Sequence, residues 1–152
     1  MKETLLIIST AAFISYVTAI WIKFGVLPSI SDSYYKLKHK SLFFLAMVGT
    51  GFPITMQSET GMMFFAGAFI CLVGAAGAFR QELTGKVHVI GAIGGIALGM
   101  CSLWIDYGYW YVPVVFAVVT FCLAFFRIKN HTWWIEILAF VCVLAVLFIS
   151  NS

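Results

Sequence analysis

Residues 86–105 read KVHVIGAIGGIALGMCSLWI and carry one formal charge, that of Lys86 at the start. A membrane-spanning helix needs about 20 apolar residues, so this run is long enough to cross a bilayer. Gly91, Gly95 and Gly99 recur every four residues and therefore share one helix face. Because small residues let helices approach closely in lipid, the run predicts a transmembrane helix packed against a neighbour.

Five further apolar runs have similar lengths. The chain of 152 residues is 62% hydrophobic and 10% charged, far below the roughly 25% charged residues of a soluble domain. Each run must be helical, because in lipid every backbone polar group needs an internal partner. We therefore predict an all-α fold, a polytopic membrane bundle of six transmembrane helices forming three hairpins in a single domain. The predicted spans are residues 4–22, 41–56, 61–79, 86–105, 109–126 and 132–150.

Lysine and arginine residues are concentrated in three connections, those that follow the first, third and fifth runs. By the positive-inside rule these connections face the cytoplasm, which places both termini outside it, across a membrane that we expect to be the bacterial cytoplasmic membrane. The net charge of +3 therefore indicates orientation and membrane lipids as partners, and no nucleic acid. The cations concerned are Lys23, Lys36, Lys38, Lys40, Arg80, Lys86, Arg127 and Lys129.

A second stripe of small residues lies in the third run, at Gly67, Cys71 and Ala75. Its spacing matches that of the glycines in residues 86–105, so it predicts close packing of the third and fourth helices as a hairpin. The alternative is an interface between chains, either in a homo-oligomer or with another subunit of a membrane complex.

Polar side chains inside the spans are few, and two of them are predicted to lie near each other. His88 shares the glycine face of its helix, and Glu136 enters the membrane from the same side at a similar depth. A carboxylate there should find a partner or take up a proton, and ionisable residues at membrane depth are candidates for function. We expect His88 and Glu136 to form a buried polar pair.

The longest connection, between the first two spans, predicts a short helix in the headgroup layer. Ser29 is a candidate N-cap with Asp32 three residues later, which is a capping-box spacing. The helix is expected either to anchor the protein at the interface or to cover the layer of His88 and Glu136. In the second case its polar residues face a ligand; these are Ser31, Asp32, Ser33, Tyr34 and Tyr35.

A metal site is the alternative use of the same layer. His88, His131 and Glu136 are ligand types found in catalytic zinc sites. Their spacing lacks any pair of ligands on adjacent helical turns, so the prediction is that no cofactor is bound. A bound zinc ion is expected only under the alternative that the protein is a metal-dependent, membrane-embedded hydrolase.

Residues 28–35, PSISDSYY, precede a basic stretch and a glycine-rich hairpin ending near His88. In this the chain resembles a group of small multi-spanning bacterial and phage membrane proteins, over about its first 95 residues. Its layer of Ser, Asp and His residues is also distantly similar to the ceramidase and progestin-receptor superfamily of membrane hydrolases. The chain has six predicted spans instead of seven and lacks the paired histidines of the last helix, so no catalytic residues are carried over.

Three functions therefore follow from the sequence as expectations. The leading one is binding of a lipid headgroup or small polar ligand at the cytoplasm-facing polar layer. The second is a metal-dependent membrane-embedded hydrolase. The third is a structural or pore-forming subunit that assembles through the glycine faces.

Overall fold

The computed structural model describes residues 2–78 and 80–151. The predicted positions of the chain ends, Met1 and Ser152, and of the end of the third span at Phe79 lie outside the described residues. Within the described ranges all regular secondary structure is helical, which confirms the all-α prediction. The helices are α1 (Lys2–Phe24), α2 (Ser33–Lys36), α3 (Ser41–Gln57), α4 (Gly61–Ala75), α5 (Glu82–Ile105), α6 (Tyr111–Phe125) and α7 (His131–Asn151).

Among the described residues, three helices are long and apolar enough to cross a membrane. These are α1, α5 and α7, with 23, 24 and 21 residues. The helices α3, α4 and α6 are also apolar but have only 17, 15 and 15 residues. The helix α4 ends at Ala75, within the sequence Gly74-Ala-Ala-Gly77. Glycine is a poor helix former, so this sequence favours an early end of the helix.

Five helices, α1, α3, α4, α5 and α7, enclose a common interior. Along the chain α1 packs on α3, α3 on α4 and α4 on α5, and α7 closes the arrangement by contacting both α5 and α1. The helix α6 lies outside this group against α5 and α7, and Phe116 is its one buried residue. The largest fully buried side chains come from all five enclosing helices and include Leu6, Phe43, Met63, Leu103 and Trp133.

The two small-residue stripes do not face each other as predicted. A Cβ atom at Gly67 would lie 2.7 Å from both the Gly51 oxygen and the Thr55 nitrogen, so this face of α4 packs on α3. Cys71 lies on the same face, with its Sγ 3.0 Å from a Cβ built at Gly51. The stripe of Gly67 and Cys71 therefore supports the pairing of α3 with α4.

The glycines of α5 meet a different face of α4. A Cβ at Gly91 would lie 3.3 Å from the Phe69 oxygen, and one at Gly95 would lie 3.5 Å from the Ala66 oxygen. Gly99 approaches Val143 of α7, at 3.3 Å from its Cγ2. The glycine face of α5 at Gly91, Gly95 and Gly99 is thus covered by α4 and α7 of the same chain.

The connections gather at the two ends of the bundle. At one end Arg80 forms an ion pair with Asp32, and the Asn130 amide donates to the Val26 carbonyl at 2.8 Å. The three connections that carry eight Lys and Arg residues thus converge there, and we call this the basic end. At the opposite end Lys2 pairs with Glu59, and Thr60 lies 3.3 Å from Ser102.

Removing the Lys2–Glu59 ion pair is expected to change the stability of the folded state only slightly. The hydrogen bond and the charge of Lys2 hold the pKa of Glu59 below its ordinary value of 4.5. A lowered pKa stabilises the folded state above the ordinary pKa, and this contribution is lost as the pH falls through the folded-state value. Because both side chains are exposed, we expect Glu59→Gln to change thermal unfolding barely at pH 7 and still less at pH 3. A large difference at either pH, measured by calorimetry in detergent, would contradict the assignment of this pair as a weak surface contact.

Candidate functional site

The connection after α1 folds back over the basic end of the bundle. Gly25, with φ of +74°, ends α1 in the left-handed region that favours glycine. Residues 29–36, which we call the cover segment, then form successive turns that lead into α2, with backbone bonds from Asp32 to Ser29 and from Ser33 to Ile30. The predicted helix from Ser29 is therefore shorter, although the Ser29 hydroxyl does accept the Asp32 N–H at 3.1 Å.

Two consecutive residues of the cover segment contact the two predicted polar residues of the membrane spans. The Ile30 N–H donates to Glu136 Oε2 at 2.5 Å, and Ser31 Oγ lies 2.9 Å from His88 Nε2. His88 is buried, and its ring is also within hydrogen-bonding reach of backbone groups at Val73 of α4. The cover segment is thus held by two helices. His88 of α5 contacts Ser31, and Glu136 of α7 contacts the preceding residue, Ile30.

A third attachment comes from α1. Ser33 is fully buried and donates its hydroxyl to the Ile30 carbonyl at 2.5 Å. Its oxygen lies 2.5 Å from the Tyr16 hydroxyl, which must be the donor of that contact because the Ser33 proton is already used. Ser33 is therefore directed towards α1 and fixes the turn.

The outer surface of the cover segment is fixed by Arg80. The Arg80 guanidinium lies 3.0 Å from Asp32 Oδ1 and 4.3 Å from the centre of the Tyr35 ring. The Arg80 backbone N–H also donates to the Tyr35 hydroxyl at 2.6 Å. Since 64% of the Arg80 side chain is exposed, the ion pair is a surface contact of modest strength.

Tyr34 attaches the cover segment to α3 and to the end of α4. Its ring packs edge-on against Phe43, and Lys40 lies over it with Nζ 4.7 Å from the ring centre. Gly77 makes room for this ring, because a Cβ at that position would lie 2.7 Å from Tyr34 Cδ2. Tyr34 is therefore an anchor of the segment and does not border the cavity described next.

A narrow cavity begins directly beneath the cover segment. A water molecule could place its centre anywhere within about 60 Å³ of this space. Ser31 and Glu136 supply the polar side chains of its wall at the basic end. The remainder of the wall is apolar, with contributions from Met47 and Ile54 of α3, Met63 and Ile70 of α4, Ala92 and Ile96 of α5, and Ala139 and Phe140 of α7.

The structure thus brings together part of the predicted site. Ser31 and Glu136 border the cavity and His88 supports Ser31, whereas Asp32, Ser33, Tyr34 and Tyr35 attach the cover segment to its surroundings. The sequence did not predict that Arg80 and Tyr16 hold the cover segment in place. A lone tyrosine in the middle of an apolar run and an arginine beside a glycine-rich helix end are the signals that could have pointed to them.

The alternative metal ligands are not assembled into a metal centre in the described part of the chain. No group of three or more His, Cys, Asp or Glu side chains among residues 2–78 and 80–151 could hold a metal ion. His131 begins α7 and is exposed, while His88 is buried beneath the cover segment. The geometry therefore gives no support to a site of His88, His131 and Glu136.

The electrostatics of the basic end differ between its surface and its interior. All eight Lys and Arg side chains of the three connections are exposed. On the outer surface of the cover segment the charge of Asp32 is paired with that of Arg80, whereas Glu136, in the interior, has no ion-pair partner within the described ranges. The surface thus suits anionic lipid headgroups, whereas the cavity has a carboxylate at its polar end.

Comparison of the chain with protein-family models, with curated proteins and with solved structures gives no match.

Proposed function

We propose that the protein is a polytopic membrane protein that binds a lipid headgroup or small polar ligand beneath the cover segment. The observation that carries this proposal is the cavity that leads from Ser31 and Glu136 into the bundle. Concave, mostly apolar sites with a few convergent polar groups are typical of ligand binding. The cover segment closes the polar end and would have to move to admit the ligand.

The proposed topology has six membrane crossings. A helix of 15 residues, such as α4 or α6, is only about 22 Å long, compared with a hydrocarbon layer of about 30 Å. Short apolar helices are accommodated by local thinning of the bilayer, and here they pair with the longer helix α5. The basic end would face the cytoplasm and contact anionic lipids, since all its cations are exposed.

Native mass spectrometry of the gently purified protein tests the binding proposal. We expect the wild type to retain one small molecule per chain. Ala139→Phe should abolish retention, because Ala139 is buried in the cavity wall and the larger side chain would fill the cavity. Val141→Phe is the matched control, since Val141 lies on the exposed face of the same helix and this variant should retain the molecule.

Two outcomes would contradict the proposal. One is a wild-type protein that carries no stoichiometric ligand after purification without delipidation. The other is equal retention by the wild type and a folded Ala139→Phe variant, which would place any bound molecule outside the cavity.

A further inference from the structure

The residues that line the cavity beneath the cover segment are spread along the lengths of the helices, and we call this space the tube. On α5 its wall extends from Gly91 to Met100, and nine residues of helix correspond to about 13 Å. The space open to the centre of a water molecule is only about 60 Å³ over that length. A space this long and this narrow accommodates one extended hydrocarbon chain.

The polar end of the tube carries the carboxyl group of Glu136. Glu136 accepts one hydrogen bond, from the Ile30 N–H, and has no ion-pair partner in the described part of the chain. A carboxyl group away from water stays ionised only where hydrogen-bond donors or a positive charge lie nearby, and otherwise takes up a proton. Ser31 is the polar side chain of the cover segment that borders the cavity. The nearby carboxylate of Asp32 is instead paired with Arg80 on the outer surface.

From these two features we infer that the ligand is a single-chain amphiphile with a protonated amine head. Its hydrocarbon chain would lie in the tube between α3, α4, α5 and α7. Its ammonium group would donate hydrogen bonds to the Glu136 carboxylate and to Ser31 Oγ. This inference rests on the proposed function and specifies the chemical class of its ligand.

Thermal unfolding of the full chain with a matched series of compounds tests the inference. The protein is kept in a steroid-based detergent, so that no alkyl-chain detergent competes, and is titrated with dodecylamine, dodecanol, dodecanoate and butylamine. We expect dodecylamine to bind at least about tenfold more tightly than dodecanol, because a charge-assisted hydrogen bond is stronger than a neutral one. Dodecanoate should bind least among the dodecyl compounds, and butylamine should bind at least about tenfold more weakly than dodecylamine.

The variant Glu136→Gln should remove the preference for the amine, bringing the ratio of the dodecylamine and dodecanol dissociation constants to about one. If this variant does not fold, the series on the wild type still decides, and Ala139→Phe should weaken binding of every dodecyl compound. A wild type that prefers dodecanoate, or that binds butylamine as well as dodecylamine, would overturn the inference. The proposed function fails separately, when native mass spectrometry finds no retained molecule of any class.

Discussion

Replacing Gly67 by alanine is expected to lower the free energy of unfolding by about 2 kcal/mol or more. The new Cβ would lie 2.7 Å from the Gly51 oxygen and the Thr55 nitrogen, and it would also meet Thr55 Oγ1. Two of these atoms belong to the backbone of α3, so the contact cannot be relieved by a side-chain rotation. The helices α3 and α4 would have to separate, and thermal or denaturant unfolding in detergent measures the cost.

Two other glycines serve as controls for this substitution. Gly61→Ala adds a Cβ with no atom within 4 Å and should be neutral or slightly stabilising. Gly95→Ala places a Cβ at the ordinary contact distance of 3.5 Å and should be tolerated. Because alanine is a better helix former than glycine, equal destabilisation by all three substitutions would contradict the account in which the approach of α3 to α4 determines the result.

Removing the Glu136 carboxylate is expected to open the cover segment. Glu136→Ala leaves the Ile30 N–H without its acceptor, and hydrogen bonds to charged groups contribute about 1.5–3 kcal/mol. The open state should therefore become about ten- to a hundredfold more populated. The readout is the rate at which a small polar thiol reagent modifies Ser31→Cys, a position that is 6% exposed in the closed state.

This experiment needs a background in which the native cysteines, Cys71, Cys101, Cys122 and Cys142, are replaced. Lys38→Cys, exposed on the same connection, gives the rate for an accessible thiol. Glu82→Ala is the matched control, because it removes an exposed carboxylate at the start of α5 and should leave the rate unchanged. An unchanged rate in Glu136→Ala would mean that Glu136 does not hold the cover segment closed.

Composition and run length predicted the all-helical fold and the position of each long helix, but they overestimated the lengths of α4 and α6, so that three of the six predicted spans are long enough to cross a membrane among the described residues. They did not predict which faces of the helices meet. The helix α4 has small residues on two faces, and only the structure distinguishes Gly67, which approaches α3, from Ala66, which approaches Gly95 of α5. The local pattern of a stripe is the same whichever neighbour covers it.

The sequence predicted which residues form the polar layer at the basic end, but it did not predict which of them contact one another. Charge bias and depth placed His88, Glu136 and the Ser31–Tyr35 segment at one end. Their bonds join residues that are far apart in the sequence, such as Ile30 and Glu136 or Asp32 and Arg80, and no local pattern encodes such pairs. The cavity was not predictable, since it is defined by what four helices leave unfilled.

We propose that the space beneath the cover segment holds a ligand. A high-resolution electron-density map of the protein, purified with its retained lipids, tests this most directly. We expect elongated density between α3, α4, α5 and α7, ending within hydrogen-bonding distance of Glu136 and Ser31. A map in which side chains fill this space and Glu136 turns to the bundle surface would contradict it.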